Sequence, residues 1–185
     1  MKIYLIRHAE KESEGENPPL TKRGIKQAKY LAKRLSKEKF DKFYRSDMER
    51  TKQTSEAISK RIKMKPIVEK SLNEYESSDI KQDFSKWNVS EKKRVKELYK
   101  FLDNLTKNKN KDEKILIVAH GITNRIIVAS LLDMDLKKMV RMRQYETSIN
   151  ELKWSDKWKN WQLVKWNDVG HIPNKMAKEL QRGLK

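Results

Sequence analysis

The sequence contains no cysteine, and its 185 residues include only five glycines, four prolines and three histidines. Without cysteine, disulfide bonds and thiolate metal ligands are excluded. No apolar run reaches the roughly 18 residues of a membrane span, and the N-terminus lacks the charged and apolar regions of a signal peptide. We therefore expect a cytoplasmic protein that has no membrane partner.

Basic residues are in large excess, with 44 Lys and Arg residues against 26 Asp and Glu residues and a formal net charge of +18. Such an excess is typical of proteins that bind nucleic acid or anionic membranes. The lysines are spread over most of the chain, however, and there is no RNA-recognition signature, cysteine–histidine finger or Gly-Arg tract. We expect a solvated basic surface that attracts anionic substrates, and no dedicated nucleic-acid partner.

Short apolar stretches alternate with amphipathic patterns of helical spacing. The strand-like stretches are residues 2–5, 40–44, 64–68 and 115–119. The helical patterns cover residues 21–35, 48–62, 92–108, 122–131 and 176–184. Residues 147–166 alternate as a β-hairpin does. This order predicts one α/β domain over residues 1–185, a three-layer α/β/α sandwich with a mostly parallel central sheet.

Local signals mark the beginnings of the first two helices. Thr21 is a suitable N-cap for the first helix, and Ile25 belongs to the face that we expect this helix to bury. Gly24, in its first turn, costs about 1 kcal/mol relative to alanine, so it indicates close backbone packing or ligand approach. A tolerated glycine is the simpler alternative. Ser46 or Asp47 is expected to cap the second helix.

Histidines follow directly after two of the strand-like stretches. Arg7 and His8 come after the first strand, and His120 and Gly121 separate the fourth strand from the helix behind it. Ligands of open α/β sheets bind at the carboxyl ends of the strands, and a glycine at a helix N-terminus allows an anion to approach the backbone closely. Arg50, in the first turn of the second helix, would add a guanidinium. Each residue alone could be an ordinary surface or loop residue, but the repeated pattern favours a shared site.

Two guanidiniums and two imidazoles around one point repel one another unless a dianion lies between them, and a phosphoryl group has that charge. One imidazole could act as the nucleophile toward phosphorus and form a phosphohistidine, while the other cationic groups hold the equatorial oxygens. Because an alkoxide leaving group needs a proton, an acid is also required, and Glu74 is the candidate. Glu76 and Asp79 are alternatives.

A metal site is the competing use of the three histidines. There is no His-x-x-x-His pair, no cysteine is available, and flanking arginines would repel a cation. Neither a Walker loop nor a Gly-x-Gly-x-x-Gly motif is present. We therefore expect no metal and no cofactor.

Four motifs and a closing segment resemble the histidine phosphatase superfamily, which is also called phosphoglycerate mutase-like, and they occur in the family's order. The motifs are Leu5-Ile6-Arg7-His8-Ala9-Glu10, Leu20-Thr21 with Gly24, Gln27 and Ala28, Ser46 with Arg50 and Thr54, and Val118-Ala119-His120-Gly121. The closing segment contains Asn167 and His171.

The resemblance implies that His8 is the phosphorylated nucleophile, that Glu74 is the proton donor and that no metal is required. The implied phosphate pocket consists of Arg7, Arg50, His120 and Gly121. A substrate-covering segment is expected around residues 74–95.

Two departures from the family pattern favour a phosphatase over a mutase. Glu14 stands where mutase-type members have an asparagine, and the chain is shorter than typical mutases. The expected activity is metal-independent hydrolysis of a phosphomonoester, on a small phosphorylated metabolite or a phosphoprotein. A phosphoglycerate mutase-type phosphoryl transfer and a catalytically inactive phospho-ligand binding protein are the alternatives. The sequence indicates neither the substrate nor the oligomeric state.

Overall fold

A six-stranded sheet forms the centre of the protein in the computed structural model, which describes residues 1–75, 87–109 and 112–182. The strands are β1 (Lys2–Arg7), β2 (Lys42–Arg45), β3 (Ile67–Val68), β4 (Lys114–Ala119), β5 (Ile149–Ser155) and β6 (Asn160–Asp168). The helices are α1 (Lys22–Leu35), α2 (Glu49–Ile62), α3 (Val89–Thr106), α4 (Gly121–Leu131) and α5 (Asn174–Arg182). Short 3₁₀ helices occupy Lys70–Leu72 and Leu136–Arg141. No helix within the described residues is both long and apolar enough to span a membrane.

The strand order is β3-β2-β4-β1-β5-β6. The first four strands in this order are parallel to their neighbours, whereas β5 and β6 add to the sheet as an antiparallel hairpin. In the register between β1 and β4, Arg7 lies opposite Ala119. The residues that follow these two, His8 and His120, therefore leave the sheet side by side.

Helices cover both faces of the sheet, which confirms the predicted three-layer α/β/α architecture. Ile3, Leu5, Ile115 and Ile117 pack into one core cluster with side chains of α3 and α4. Tyr4, Ile6, Leu116 and Val118 point to the opposite face and pack against α1 and α2. Because β1 and β4 are buried on both faces, their sequences are continuous apolar runs rather than alternating ones.

The third predicted strand is largely wrong. Of residues 64–68, the structure forms only the two-residue strand β3, at the edge of the sheet, where Tyr44 pairs with Ile67 and Arg45 with Val68. Ile67 and Val68 are both exposed, so no apolar burial stabilises a longer strand there. The predicted hairpin is confirmed, with Trp154 paired with Trp161.

The beginning of α1 confirms two predictions and contradicts one. The N–H of Gly24 donates to Thr21 Oγ1 at 2.8 Å, as expected of an N-cap. A Cβ on Gly24 would lie 2.0 Å from the carbonyl oxygen of Glu10, so this glycine is required by close backbone packing. Ile25, which we expected on the buried face, is 45% exposed. The buried face of α1 contains Gly24 and Ala28, and Ile25, the residue after Gly24, points away from that face.

The predicted cap of α2 is wrong. The N-cap residue is Met48, and its side chain makes no capping hydrogen bond. The two polar candidates, Ser46 and Asp47, have other partners. Ser46 Oγ lies 2.7 Å from His120 Nε2, and the carboxylate of Asp47 accepts a hydrogen bond from Asn73. Arg50 does lie in the first turn of α2, as predicted.

Candidate active site

The imidazoles of His8 and His120 meet at the carboxyl end of β1 and β4. The N–H of His8 donates to the carbonyl oxygen of Ala119 at 3.0 Å, which continues the parallel pairing by one residue. The ring centroids are 5.1 Å apart, and the ring planes are inclined at 61°. Two histidines that are distant in the sequence therefore lie within contact distance, as the strand order predicts.

His8 is buried, and its hydrogen bond identifies the protonated nitrogen. Nδ1 lies 2.7 Å from the carbonyl oxygen of Ala9, so Nδ1 carries the proton and donates it, and Nε2 has the free lone pair. Burial, and then the charge of Arg7, hold the pKa of His8 well below its ordinary value. The ring is therefore neutral at pH 7 and has an unprotonated Nε2.

His120 has the opposite tautomer. Its Nδ1 accepts a hydrogen bond from Arg50 Nε at 3.2 Å, and because a guanidinium nitrogen can only donate, Nδ1 is unprotonated. Nε2–H then donates to Ser46 Oγ. Burial, followed by the effects of His8 and Arg50, lowers the pKa of His120 well below its ordinary value. In this arrangement His120 orients the guanidinium of Arg50.

Arg7 is held by the segment that precedes β5. Its Nη2 lies 2.9 Å from a carboxylate oxygen of Glu146, and its Nη1 donates to the carbonyl oxygen of Gln144. The guanidinium also packs against Gly121, where a Cβ would lie 3.5 Å from Arg7 Nε. That distance is ordinary van der Waals contact, so the packing against Arg7 does not by itself require a glycine.

Glu74 lies at the N-terminus of α4, beside the histidines. Its carboxylate accepts hydrogen bonds from the backbone N–H of Thr123 at 3.3 Å and of Ile122 at 3.5 Å. Burial raises the pKa of Glu74, and these N–H groups oppose the rise because they stabilise the charged form. Arg94 fixes the backbone here by donating to the carbonyl oxygens of Asn73 and Glu74.

One cavity of about 440 Å³ contains most of the predicted site residues. The predicted residues that line it are Arg7, His8, Arg50, Glu74 and Gly121. His120 is fully buried and contacts the site through His8 and Arg50 rather than as a lining residue. The alternative acids Glu76 and Asp79 lie outside the described residues, as does the middle of the segment expected to cover the substrate.

Six further residues line this cavity and were not predicted from the sequence. They are Lys11, Tyr75, Ile122, Arg125, Arg143 and Gln144. Arg125 had a usable signal, because it follows Gly121 by four residues and so lies on the same side of α4. Gln144, and Glu146 behind it, belong to an irregular segment whose position depends on long-range contacts, so no local pattern indicates them.

A larger groove of about 690 Å³ lies between α1 and α2 and contains none of the predicted site residues. The histidine cavity is the better candidate because it combines titratable, cationic and backbone N–H groups. Within the part of the chain that the structure describes, no three His, Asp or Glu side chains are grouped as metal ligands.

The fold and this cavity define an α/β protein with a cavity lined by cationic side chains at the carboxyl ends of its parallel strands. The chain belongs to the histidine phosphatase superfamily (branch 1), whose family model matches residues 3–169. The family expected from the sequence motifs is therefore confirmed.

Similar proteins include phosphatases and a protein named as a mutase. The chain is 28% identical over 169 residues to phosphoserine phosphatase 1 of Hydrogenobacter thermophilus, covering 75% of this chain and 79% of that protein. It is 25% identical to "Probable phosphoglycerate mutase GpmB" of Photorhabdus laumondii, over 98% of this chain and all of that protein. A phosphoserine phosphatase mutant from Entamoeba histolytica, solved in complex with phosphoserine, has a TM-score of 0.75 and 21% identity, with 93% of this chain and 99% of the other covered. At that identity, the structural similarity supports the fold.

Proposed function

We propose that this protein is a metal-independent phosphomonoester hydrolase that works through a phosphohistidine on His8. The observation that carries the proposal is the hydrogen bond from His8 Nδ1 to Ala9, which leaves a neutral ring with an unprotonated Nε2 at the cavity. Membership of the histidine phosphatase superfamily and the named activities of its relatives support the reaction class.

In the first step, the phosphoryl dianion binds between the guanidiniums of Arg7 and Arg50. His8 Nε2 attacks phosphorus, and the bond from phosphorus to the leaving oxygen breaks as the new P–N bond forms. Glu74 donates a proton to the leaving oxygen, so the alcohol departs neutral. The raised pKa of Glu74 favours the protonated form that this step needs.

In the second step, Glu74 acts as the base. Its carboxylate removes a proton from a water molecule as the water oxygen attacks phosphorus, and the P–N bond breaks. Phosphate leaves, His8 returns to its neutral form, and Glu74 is again protonated. His120 supports both steps by accepting the hydrogen bond that orients Arg50 toward the phosphoryl oxygens.

We also propose that residues 1–185 form one catalytic domain, with residues around 74–95 covering the substrate. The substrate is a small phosphorylated metabolite or a phosphoprotein, and the location of the protein is cytoplasmic.

Hydrolysis of p-nitrophenyl phosphate in excess chelator tests the reaction. We expect the wild-type protein to release phosphate, and His8→Ala to be slower by about 10³-fold or more, because the attacking nitrogen is lost. Circular dichroism and thermal melting check that the variant is folded. A folded wild-type protein that releases no phosphate, or one that chelation inactivates, would contradict the proposal.

A mutase is the second candidate, because one of the similar proteins is named as a probable phosphoglycerate mutase. Incubation with 3-phosphoglycerate and a catalytic amount of 2,3-bisphosphoglycerate separates the two reactions. A hydrolase releases inorganic phosphate, whereas a mutase forms 2-phosphoglycerate faster than phosphate appears. A non-catalytic binding protein would bind these compounds and form neither product.

A further inference from the structure

The lining of the cavity contains more cationic side chains than carboxylic acids. Among its described lining residues, five side chains are cationic and Glu74 is the one carboxylic acid. The cationic residues are Arg7, Lys11, Arg50, Arg125 and Arg143. A phosphomonoester brings two negative charges, which would bind between Arg7 and Arg50, and Glu146 already pairs with Arg7. The guanidinium of Arg125 serves neither of these anions, so it favours a ligand with additional negative charge.

Arg125 is well placed to bind such a ligand. It is half-buried, and its Nε donates to the carbonyl oxygen of Gly121 at 3.0 Å, one turn earlier in α4. This bond fixes the direction of the side chain and leaves the two terminal nitrogens as donors. Lys11 and Arg143, by contrast, are exposed at the cavity.

The described residues provide Arg125 with no carboxylate within 4 Å, although Glu74 is near enough to affect its pKa electrostatically. Taking a guanidinium partly out of water without a paired anion is unfavourable, so such a group is suited to an anion that arrives with a ligand. Arg125 lines the same cavity as Arg7 and His8. A group bound by Arg125 would therefore belong to the molecule whose phosphoryl group reacts.

We propose that Arg125 binds a second anionic group of the substrate, a carboxylate or a second phosphate. The substrate class is then phosphomonoesters that carry this additional negative charge. The inference rests on the proposed hydrolase function and adds the specificity of the same site. The terminal nitrogens of Arg125 donate to the two oxygens of that group, while Lys11 and Arg143 attract the polyanion toward the cavity.

Matched substrate pairs test this specificity. Phosphoserine differs from phosphoethanolamine by one carboxylate, and fructose 1,6-bisphosphate differs from fructose 6-phosphate by one phosphate. We expect the wild-type kcat/KM to favour the more anionic member of at least one pair by about tenfold or more, as charge-assisted hydrogen bonds do. Which pair shows the preference identifies the second group as a carboxylate or a phosphate.

The Arg125→Gln variant should lose this preference, bringing kcat/KM for the two members of the pair to within about threefold of each other. Arg61→Gln, an equal loss of charge on the exposed end of α2, should keep the preference. A wild-type protein without preference in either pair, or an Arg125→Gln variant that retains it, overturns the inference. An equal loss on all substrates also overturns it, because Arg125 would then act through Glu74.

Binding measurements separate this inference from the hydrolase proposal. Calorimetric titration of phosphoserine, phosphoethanolamine and the two sugar phosphates into His8→Ala and into His8→Ala/Arg125→Gln requires no turnover. The first variant should bind the more anionic member of a pair more tightly by about tenfold, and the second should not. If wild-type turnover is absent but this difference is present, the hydrolase proposal fails and the second-anion site holds.

Discussion

At the scale of single residues, hydrogen bonds give the two histidines of the site different properties. His8 uses Nδ1–H to reach a backbone carbonyl, whereas Nδ1 of His120 accepts from the guanidinium of Arg50. Both pKa values are lowered by burial, so both rings are neutral, but only His8 has an unprotonated nitrogen that is not already hydrogen-bonded to a described residue. This difference supports His8 as the nucleophile and His120 as the residue that orients Arg50.

Glu74→Gln tests the acid and base roles. We expect hydrolysis of an alkyl phosphate to fall by about 10²- to 10⁴-fold, because the alkoxide leaves without a proton. p-Nitrophenolate needs little protonation, so that substrate should give a rapid burst of one product per enzyme followed by slow turnover. Stopped-flow absorbance measures the burst, and Glu56→Gln, an exposed glutamate of α2, is the matched control.

The pH profile gives an independent check of the same role. Glu74 acts as an acid only when protonated, so alkyl phosphate hydrolysis should fall as the pH rises through its raised pKa. The Gln variant should lack this alkaline decline. An unchanged profile in the variant would remove Glu74 from the acid role.

Glu146→Gln tests how Arg7 is shared between the protein and the ligand. The carboxylate of Glu146 lies 2.9 Å from Arg7 Nη2 and repels a dianion bound to the same guanidinium. Glutamine keeps an oxygen acceptor but removes the charge, so inorganic phosphate should inhibit more strongly, with a Ki lower by about two- to tenfold. Competitive inhibition assays at low salt measure this change. A higher Ki would mean that Glu146 serves the site mainly by orienting Arg7.

At the scale of secondary-structure elements, the start of α1 is fixed against the loop that follows His8. The N–H of Thr21 donates to the carbonyl oxygen of Glu10 at 3.0 Å, and a Cβ on Gly24 would lie 2.0 Å from that oxygen. The carboxylate of Glu10 also pairs with Arg23. The first turn of α1 thus helps to hold the backbone two residues beyond the proposed nucleophile.

Gly24→Ala should destabilise the protein, although alanine is the better helix former by about 1 kcal/mol. The steric conflict with Glu10 requires a backbone shift, so we expect a net loss of about 1–3 kcal/mol in the free energy of unfolding. Urea denaturation measures the change. Lys26→Ala, on the exposed side of the same helix, should stay within about 0.5 kcal/mol of wild type. A more stable Gly24→Ala protein would contradict this steric conflict between α1 and Glu10.

The N-terminus of α4 connects several parts of the site. It follows His120 directly, its backbone N–H groups bind the carboxylate of Glu74, and its first turn accepts the hydrogen bond of Arg125. Free N–H groups and the helix dipole favour negative charge at this position. One helix start therefore stabilises the ionised form of Glu74 and orients the proposed second-anion residue.

At the scale of the whole molecule, all three histidines have lowered pKa values. For His8 and His120 the main cause is burial, and burial also lowers the pKa of His171 to about 4. The unfolded chain takes up these protons near pH 6.5, whereas the folded protein takes them up only at lower pH. The stability that neutral histidines contribute is therefore fully present above about pH 6.5 and is lost as the pH falls.

Denaturation in urea at pH 7.5 and pH 5.5 tests this acid sensitivity. We expect the free energy of unfolding to fall by about 1 kcal/mol for each histidine between these conditions. The raised pKa of Glu74 opposes part of this effect, since it favours the folded state when protonated. His8→Asn should reduce the dependence on pH, because one of the three groups is gone. Equal or greater stability at pH 5.5 would contradict the burial of neutral histidines.

The sequence alone determined the layers of the fold and the family, and it indicated the ends of β1 and β4 as the position of the candidate site. These features depend on neighbouring residues, such as the apolar runs that become buried strands and the Arg7-His8 and His120-Gly121 pairs that follow them. Thr21 and Gly24 were likewise predictable because a helix cap is a local structure.

Only the tertiary structure decided how each side chain of the site is partnered. The pairing of Arg7 with Glu146, the tautomers of His8 and His120, and the position of Arg125 depend on strand register and loop paths that join distant residues. The Ser46 and Asp47 cap was wrong for the same reason, because long-range partners bind both side chains more favourably than the helix end does. Local sequence patterns do not contain these contacts, which form only when separate segments pack together.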